Sequence, residues 1–297
     1  MGVHIYKFMD CLLLKSRRYP EEVARMVIRD VLRALDYAHT ECSIIHTDIK
    51  LSNVLAACYG RMTVDLAMAS DEEEDLHSQD CIAADGSTVT IHETAPVLIM
   101  PQQPEDWNQM LFKLVDFGVD KVDQRLSQMI CTIPARPPEV AIGAKWDTSV
   151  DIWEEWCLSE DSCGTTLHLF QMLSHCILYP EDVTEGILPI FQWRIFGDFP
   201  PELVARSSKG IAWFDENGHL LDGLVEALQN EGHLKLRISL KEYLEAVTDG
   251  EVTFSDECWD ILEKMLTVDP QQRPTAKELL SHPWLSGELP KAYYFTG

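Results

Sequence analysis

The stretch that most limits this chain is IIHTDIKLSNVL, residues 44–55. It sets His46, Asp48, Lys50 and Asn53 in the order H-x-D-x-K-x-x-N. Directly before it, residues 20–41 read PEEVARMVIRDVLRALDYAHTE. Val23, Val27, Val31, Leu35 and Ala38 recur there at spacings of three and four, the stripe of an amphipathic helix. Pro20 suits the first helical position, and Glu21 and Glu22 suit the positive end of the helix dipole. A long helix therefore ends on a polar loop, and the short apolar stretch Val54-Leu55 follows.

The residue types in that loop point to phosphate chemistry. A carboxylate at Asp48 can orient a hydroxyl and accept its proton. Lys50 can place positive charge on a transferring phosphate, and the amide oxygen of Asn53 can ligate magnesium. Taken alone, the same residues also suit a polar turn between a helix and a strand.

Further along come LVDFGVD, RPPE (Arg136 to Glu139), DTSVDIW and VDPQQRPTAKELLSHPWL, in that order. In the first, Asp116 can hold a magnesium ion that bridges nucleotide phosphates. Phe117 is expected to pack inward, and Gly118 lets the backbone turn. Asp151 opens a helix, and Arg273 is the expected buried partner of Glu139, since a buried carboxylate needs a cation. SDECWDILEKML has Ser255 as N-cap and an apolar face of Cys258, Ile261, Leu262, Met265 and Leu266. Thr275 and Glu278 are spaced as a capping box, and Pro283 marks the end of that helix. Strand signals are few: Val54-Leu55, Phe112 to Leu114, and Val89 to Ile91.

With these motifs in this order, the chain resembles the large lobe of a eukaryotic protein kinase, and within that family it is most similar to the SR-protein kinases, fungal type. The loop reads H-T-D instead of H-R-D. PEVAIGAKWDTSVDIW and FGDFPPELVARSSKGIAWFDENGHL also resemble segments of that group. The resemblance implies a mainly α fold, a helical large lobe with short β-hairpins at the catalytic and metal-binding loops. It implies a serine/threonine kinase that uses ATP and Mg²⁺ and acts on Ser in basic Arg/Ser-rich proteins. It assigns catalytic roles to Asp48, Lys50 and Thr132, nucleotide contacts to Lys50, Asn53 and Asp116, and the metal to Asn53 and Asp116. Thr132 is expected to hydrogen-bond the Asp and the Lys. Thr47 stands where the family's Arg pairs with a loop phosphate, so the resemblance implies a kinase that does not wait for loop phosphorylation.

The chain also departs from the pattern. No G-x-G-x-x-G and no V-A-I-K precede residue 44. The expectation is a chain lacking the β-rich small lobe, inactive on its own, with a partner over the surface that lobe would cover. A pseudokinase-like module that binds basic segments without transferring phosphate is the alternative. Residues 154–176 fit the family poorly. The expected divisions are 1–61, the opening helix and catalytic loop; 62–110, an acidic, weakly ordered insertion; and 111–297, the metal-binding loop, activation segment and helical remainder.

Composition sets the surroundings. The 297 residues carry 24 Lys+Arg against 49 Asp+Glu, a net charge of −25. Residues 62–112 contribute −11 of this, with no Lys or Arg, which leaves −14 elsewhere. Such a field favours basic partners and disfavours nucleic acid and anionic lipid. Nine cysteines, an odd number with no C-x-x-C, suit free thiols in cytoplasm or nucleus. No apolar run reaches membrane-spanning length.

Overall fold

The computed structural model describes residues 3–4, 20–58, 78–82, 87–92, 110–117, 130–131, 133–154, 169–174, 176, 178–180, 182–230 and 236–287. Its organising element is the helix α1, Glu21–Tyr37. The stripe read from the sequence faces the core: Val23, Val27, Val31, Leu35 and Ala38 are all buried. Pro20 sits one position earlier than expected. Its ψ of 139° is extended, and its carbonyl accepts the N–H groups of Val23 and Ala24 at 3.0 and 3.1 Å, which makes it the N-cap. The far end also differs from a plain helix through residue 41. After Tyr37 the chain widens into a π-helical turn, Ala38–Cys42, and leaves it through Ser43 at φ 53°.

Strand β1 (Val3–His4) pairs antiparallel with β2 (Val54–Cys58), Val3 opposite Ala56. Strand β3 (Ser78–Ile82) pairs antiparallel with β4 (Thr88–His92) as a separate hairpin inside the acidic segment, Ser78 opposite His92. Strand β5 (Met110–Leu114) pairs antiparallel with β2, from Val54 opposite Leu114 to Cys58 opposite Met110. The larger sheet therefore runs β1-β2-β5. The strand leaving the polar loop and the strand entering D-F-G are thus partners of each other across the acidic segment.

The remainder is helical. The helices are α2 (Pro138–Ala141), α3 (Ser149–Glu154), α4 (Leu169–Ser174), α5 (Leu188–Phe196), α6 (Pro201–Ala205), α7 (Asp222–Asn230), α8 (Leu240–Val247), α9 (Asp256–Met265) and α10 (Ala276–Leu279). The expected caps are present. Ser255 Oγ accepts the Cys258 N–H at 3.2 Å. Thr275 and Glu278 exchange backbone-to-side-chain bonds at 2.8 and 3.2 Å. All five residues of the expected α9 face are buried. The main core joins α1 (Val27, Leu32), β5 (Phe112), α3 (Trp153), α9 (Ile261) and Trp284. Burying a large apolar side chain contributes about 1.5–3 kcal/mol, so the packing of α1 against β5 and α10 anchors the helix that leads into the polar loop. A second, smaller core centres on Phe199 and Phe214, stacked with ring centroids 4.2 Å apart.

Candidate active site

The polar loop rests on one buried carboxylate. Asp151, in the first turn of α3, is fully buried. It accepts the His46 N–H at 2.8 Å, the Thr47 N–H at 2.9 Å and the His39 Nε2–H at 2.7 Å. Three donors supply what an ionised carboxylate needs out of water. Thr47 has φ 66°, a left-handed backbone that a β-branched residue adopts at a cost. The two N–H bonds to Asp151 hold it there.

His46 joins the loop to the D-F-G strand. Its Nε2–H donates to the Val115 carbonyl at 3.0 Å, and its Nδ1 accepts the Asp48 N–H at 3.3 Å. This arrangement suits one neutral tautomer, with the proton on Nε2. Phe117 lies against the same ring, centroids 4.8 Å apart. It was expected to pack inward; instead it is 40% exposed.

Asp48, Lys50 and Asn53 converge. Lys50 Nζ is 2.8 Å from Asp48 Oδ2. Asn53, buried, donates from Nδ2 to the Asp48 carbonyl at 3.0 Å and lies 3.4 Å from Asp48 Oδ2. Its backbone carbonyl accepts the Val115 N–H at 2.8 Å. Asn53 is thus pinned through Nδ2 and its backbone carbonyl, and Oδ1 is its remaining side-chain polar atom. Asp116 follows Val115 at φ 63° and is exposed. An amide oxygen and an exposed carboxylate, both hard oxygen donors, fit a magnesium ion that keeps most of its other positions for phosphate and water. Among the described residues, no group of three or more His, Cys, Asp or Glu could hold a metal. Thr132 and Gly118 lie outside the described residues.

The R-P-P-E segment lies beside this site. Arg136 donates from Nε to the Ile130 and Cys131 carbonyls, both at 3.3 Å, and from NH1 to Glu185 at 2.7 Å. Gln192 on α5 donates to the Arg136 carbonyl at 2.8 Å. The residues on either side of Thr132 are therefore tied to α5. Glu185 is held below its ordinary value, chiefly by the Arg136 hydrogen bond and charge. Glu139 and Arg273 form the buried pair expected from the sequence, at 2.8 and 3.0 Å.

Sequence reasoning did not assign the roles of Asp151, His39 and Gln192. The available signal for Asp151 was its place between Val150 and Ile152, an acid inside an apolar run.

The loop thus brings a carboxylate, a lysine and an asparagine together, and the Val115 N–H ties that loop to the segment that leads into Asp116. A family model described as "Protein kinase domain" matches residues 96–285, and the chain belongs to the protein kinase family. Among curated proteins, a serine/threonine protein kinase of Aspergillus fumigatus is 28% identical over 278 residues, 92% of this chain and 60% of that protein. The serine/threonine-protein kinase SRPK of Physarum polycephalum is 24% identical over 94% of this chain and 65% of its own length. The serine/threonine-protein kinase AFC1 of Arabidopsis thaliana is 23% identical over 96% of this chain and 53% of its own. The chain thus spans about 53–65% of the length of these relatives. The crystal structure of the PF14_0431 kinase domain superposes with a TM-score of 0.59 at 20% identity, over 96% of this chain and 71% of that one. That likeness establishes a kinase-like fold.

Proposed function

We propose that this chain is the catalytic large lobe of a serine/threonine protein kinase of SR-protein-kinase type, which moves the ATP γ-phosphate to Ser in Arg/Ser-rich proteins. The observation that carries the reading is Asn53. Its amide nitrogen holds Asp48 and its backbone carbonyl holds Val115, the residue before Asp116, which leaves Oδ1 to serve a ligand. Acceptor and metal groups are thereby set in one frame.

In this reading the serine hydroxyl gives its proton to the Asp48 carboxylate as its oxygen bonds to the γ-phosphorus. The bond from that phosphorus to the bridging oxygen breaks, and ADP leaves. Lys50, 2.8 Å from Asp48, steadies charge on the transferring group and shares the nucleotide contacts with Asn53 and Asp116. Magnesium on Asn53 Oδ1 and Asp116 would neutralise phosphate charge. Thr132 completes the catalytic set by family position. The −14 outside residues 62–112 favours basic substrates over acidic ones and over nucleic acid or membrane surfaces. The site of action is cytoplasm and/or nucleus. Among the described residues, no helix is long and apolar enough to cross a membrane.

The alternative reading is a module that binds basic segments without transferring phosphate. The 297 residues hold no G-x-G-x-x-G and no strand lysine motif before residue 44.

The test uses protein purified from the native transcript, radiolabelled ATP, Mg²⁺ and two peptides, one of Arg-Ser repeats and one acidic. Serine labelling of the Arg-Ser peptide that vanishes in Asp48→Ala is expected. Equal labelling of both peptides overturns the substrate class. Binding of the Arg-Ser peptide with no label selects the second reading.

A further inference from the structure

Asp30 lies in the middle of α1, on the apolar stripe between Val27 and Val31, and is only 6% exposed. Aspartate is a weak helix former, and a carboxylate out of water requires donors. Its donors identify its task. Oδ2 accepts the backbone N–H of Phe112 at 3.1 Å, and Oδ1 accepts Arg33 NH1 at 3.1 Å. The Arg29 Nε stands 3.9 Å from Oδ1.

Phe112 is the central residue of β5, opposite Ala56 of β2. Along an antiparallel strand, successive N–H groups point alternately toward the partner and away. The Phe112 N–H that Asp30 takes points away from β2, at the outer edge of the β1-β2-β5 sheet. Here a helix side chain takes the place of a neighbouring strand. Beyond Leu114, Val115 gives its N–H to Asn53 and receives the His46 ring, and Asp116 follows.

We propose that Asp30 is a positioning residue for the metal-binding end of β5. Strand β2 holds the strand along one edge and Asp30 pins it to α1 along the other. The strand cannot slide or roll, and Asp116 is delivered at a fixed height beside Asn53. Asp30 itself touches neither nucleotide nor metal. The proposal rests on the kinase reading for its consequence, the binding of Mg²⁺·ATP, but not for its geometry.

The experiment compares the 297-residue wild type with Asp30→Asn, which keeps an acceptor oxygen, and Asp30→Leu, which does not. Should the Leu variant fail to fold, Asp30→Ser, too short to reach the Phe112 N–H, replaces it. Amide exchange is read at Phe112 and Val115, and Mg²⁺·ATP binding is read by calorimetry. The Leu variant is expected to lose protection at Phe112 by at least about tenfold, and at Val115 as well. Its affinity for Mg²⁺·ATP should fall about five- to tenfold while metal-free ATP is unaffected, and Asp30→Asn should stay within about twofold of wild type in all readouts. Unchanged protection at Val115 in the Leu variant overturns the proposal whatever the nucleotide does. So does full Mg²⁺·ATP affinity in that variant. If wild type binds no Mg²⁺·ATP at all, the kinase reading of this polypeptide falls, and Asp30 is decided by the two amides alone.

Discussion

Arg273 grips Glu139 with both arms of its guanidinium: NH1 is 2.8 Å from Oε1 and NH2 is 3.0 Å from Oε2, with both side chains fully buried. The same arginine donates to the Thr267 and Ser149 carbonyls at 3.0 and 2.8 Å and lies 5.1 Å over the Trp153 ring. It fastens α2 and α3 to the turn before α10. Removing one member leaves a buried charge without a partner. Arg273→Ala should therefore cost roughly 3–5 kcal/mol. Arg273→Lys should recover little, because an ammonium cannot reproduce the fork. Replacing both partners with Met should cost less than Arg273→Ala alone. Urea unfolding of the three variants checks this, and a double variant less stable than Arg273→Ala would contradict it.

Thr47 offers a gain in stability. Its φ of 66° burdens a β-branched side chain by roughly 1–2 kcal/mol. The bond to Asp151 uses its backbone N–H and survives substitution. Asn tolerates the left-handed region, so Thr47→Asn should stabilise the fold by about 1 kcal/mol. Thr47→Val, equally branched, should gain nothing. A lower unfolding midpoint in Thr47→Asn would show that the backbone is not under strain there.

Glu185 gives a pH signature. Its carboxyl is lowered from 4.5, first by the Arg136 hydrogen bond, then by the charges of Arg136 and Lys209. The depressed value means that its contribution to stability is present above the ordinary pKa. That contribution is lost as pH falls through the lower, folded value. The stability gap between wild type and Glu185→Gln should be steady above the ordinary carboxylate pKa, about pH 5, and narrow as the pH falls through the lower, folded value. Because the Glu185 side chain is half exposed, the pair should also weaken with salt. Unfolding midpoints followed downward through the carboxylate range test this, and a gap that does not narrow as the pH falls below the ordinary Glu value would rule it out.

What could be read in the sequence had short reach. The α1 stripe, the Ser255 cap and the Thr275–Glu278 box are set by neighbours three or four positions apart. Glu139 and Arg273 are 134 positions apart and were paired only because ordered motifs suggested a known fold. Asp30 and Asp151 went unassigned for a physical reason. A buried carboxylate and a solvated one look alike in a helix until its partner is known, and theirs lie 82 and 105 positions away. Asp48, Lys50 and Asn53 meet because they lie within five positions of one another. Pro20 and Tyr37 show the usual limit at helix ends, where the cap geometry and not the stripe decides the boundary.

The sharpest test of the site is Asn53, because its two ends do different work. Nδ2 restrains Asp48, at 3.0 Å to its carbonyl and 3.4 Å to its carboxylate. Oδ1 is the oxygen proposed for magnesium. Asn53→Asp keeps an oxygen ligand but removes the donor and sets a second negative charge beside Asp48. Asn53→Ala removes both functions. In protein from the native transcript, Asn53→Asp should keep KM for Mg²⁺·ATP within about threefold of wild type, since metal ligation survives. Its kcat should fall about 10²-fold or more, because Asp48 is no longer held to receive the serine proton. Asn53→Ala should lose both parameters, and raising Mg²⁺ should partly restore its KM but not its kcat. Steady-state kinetics with an Arg-Ser peptide separates the two effects. An Asn53→Asp enzyme with wild-type kcat would mean that the Asn53–Asp48 bond does not position the acceptor, and the frame proposed here would lose its centre.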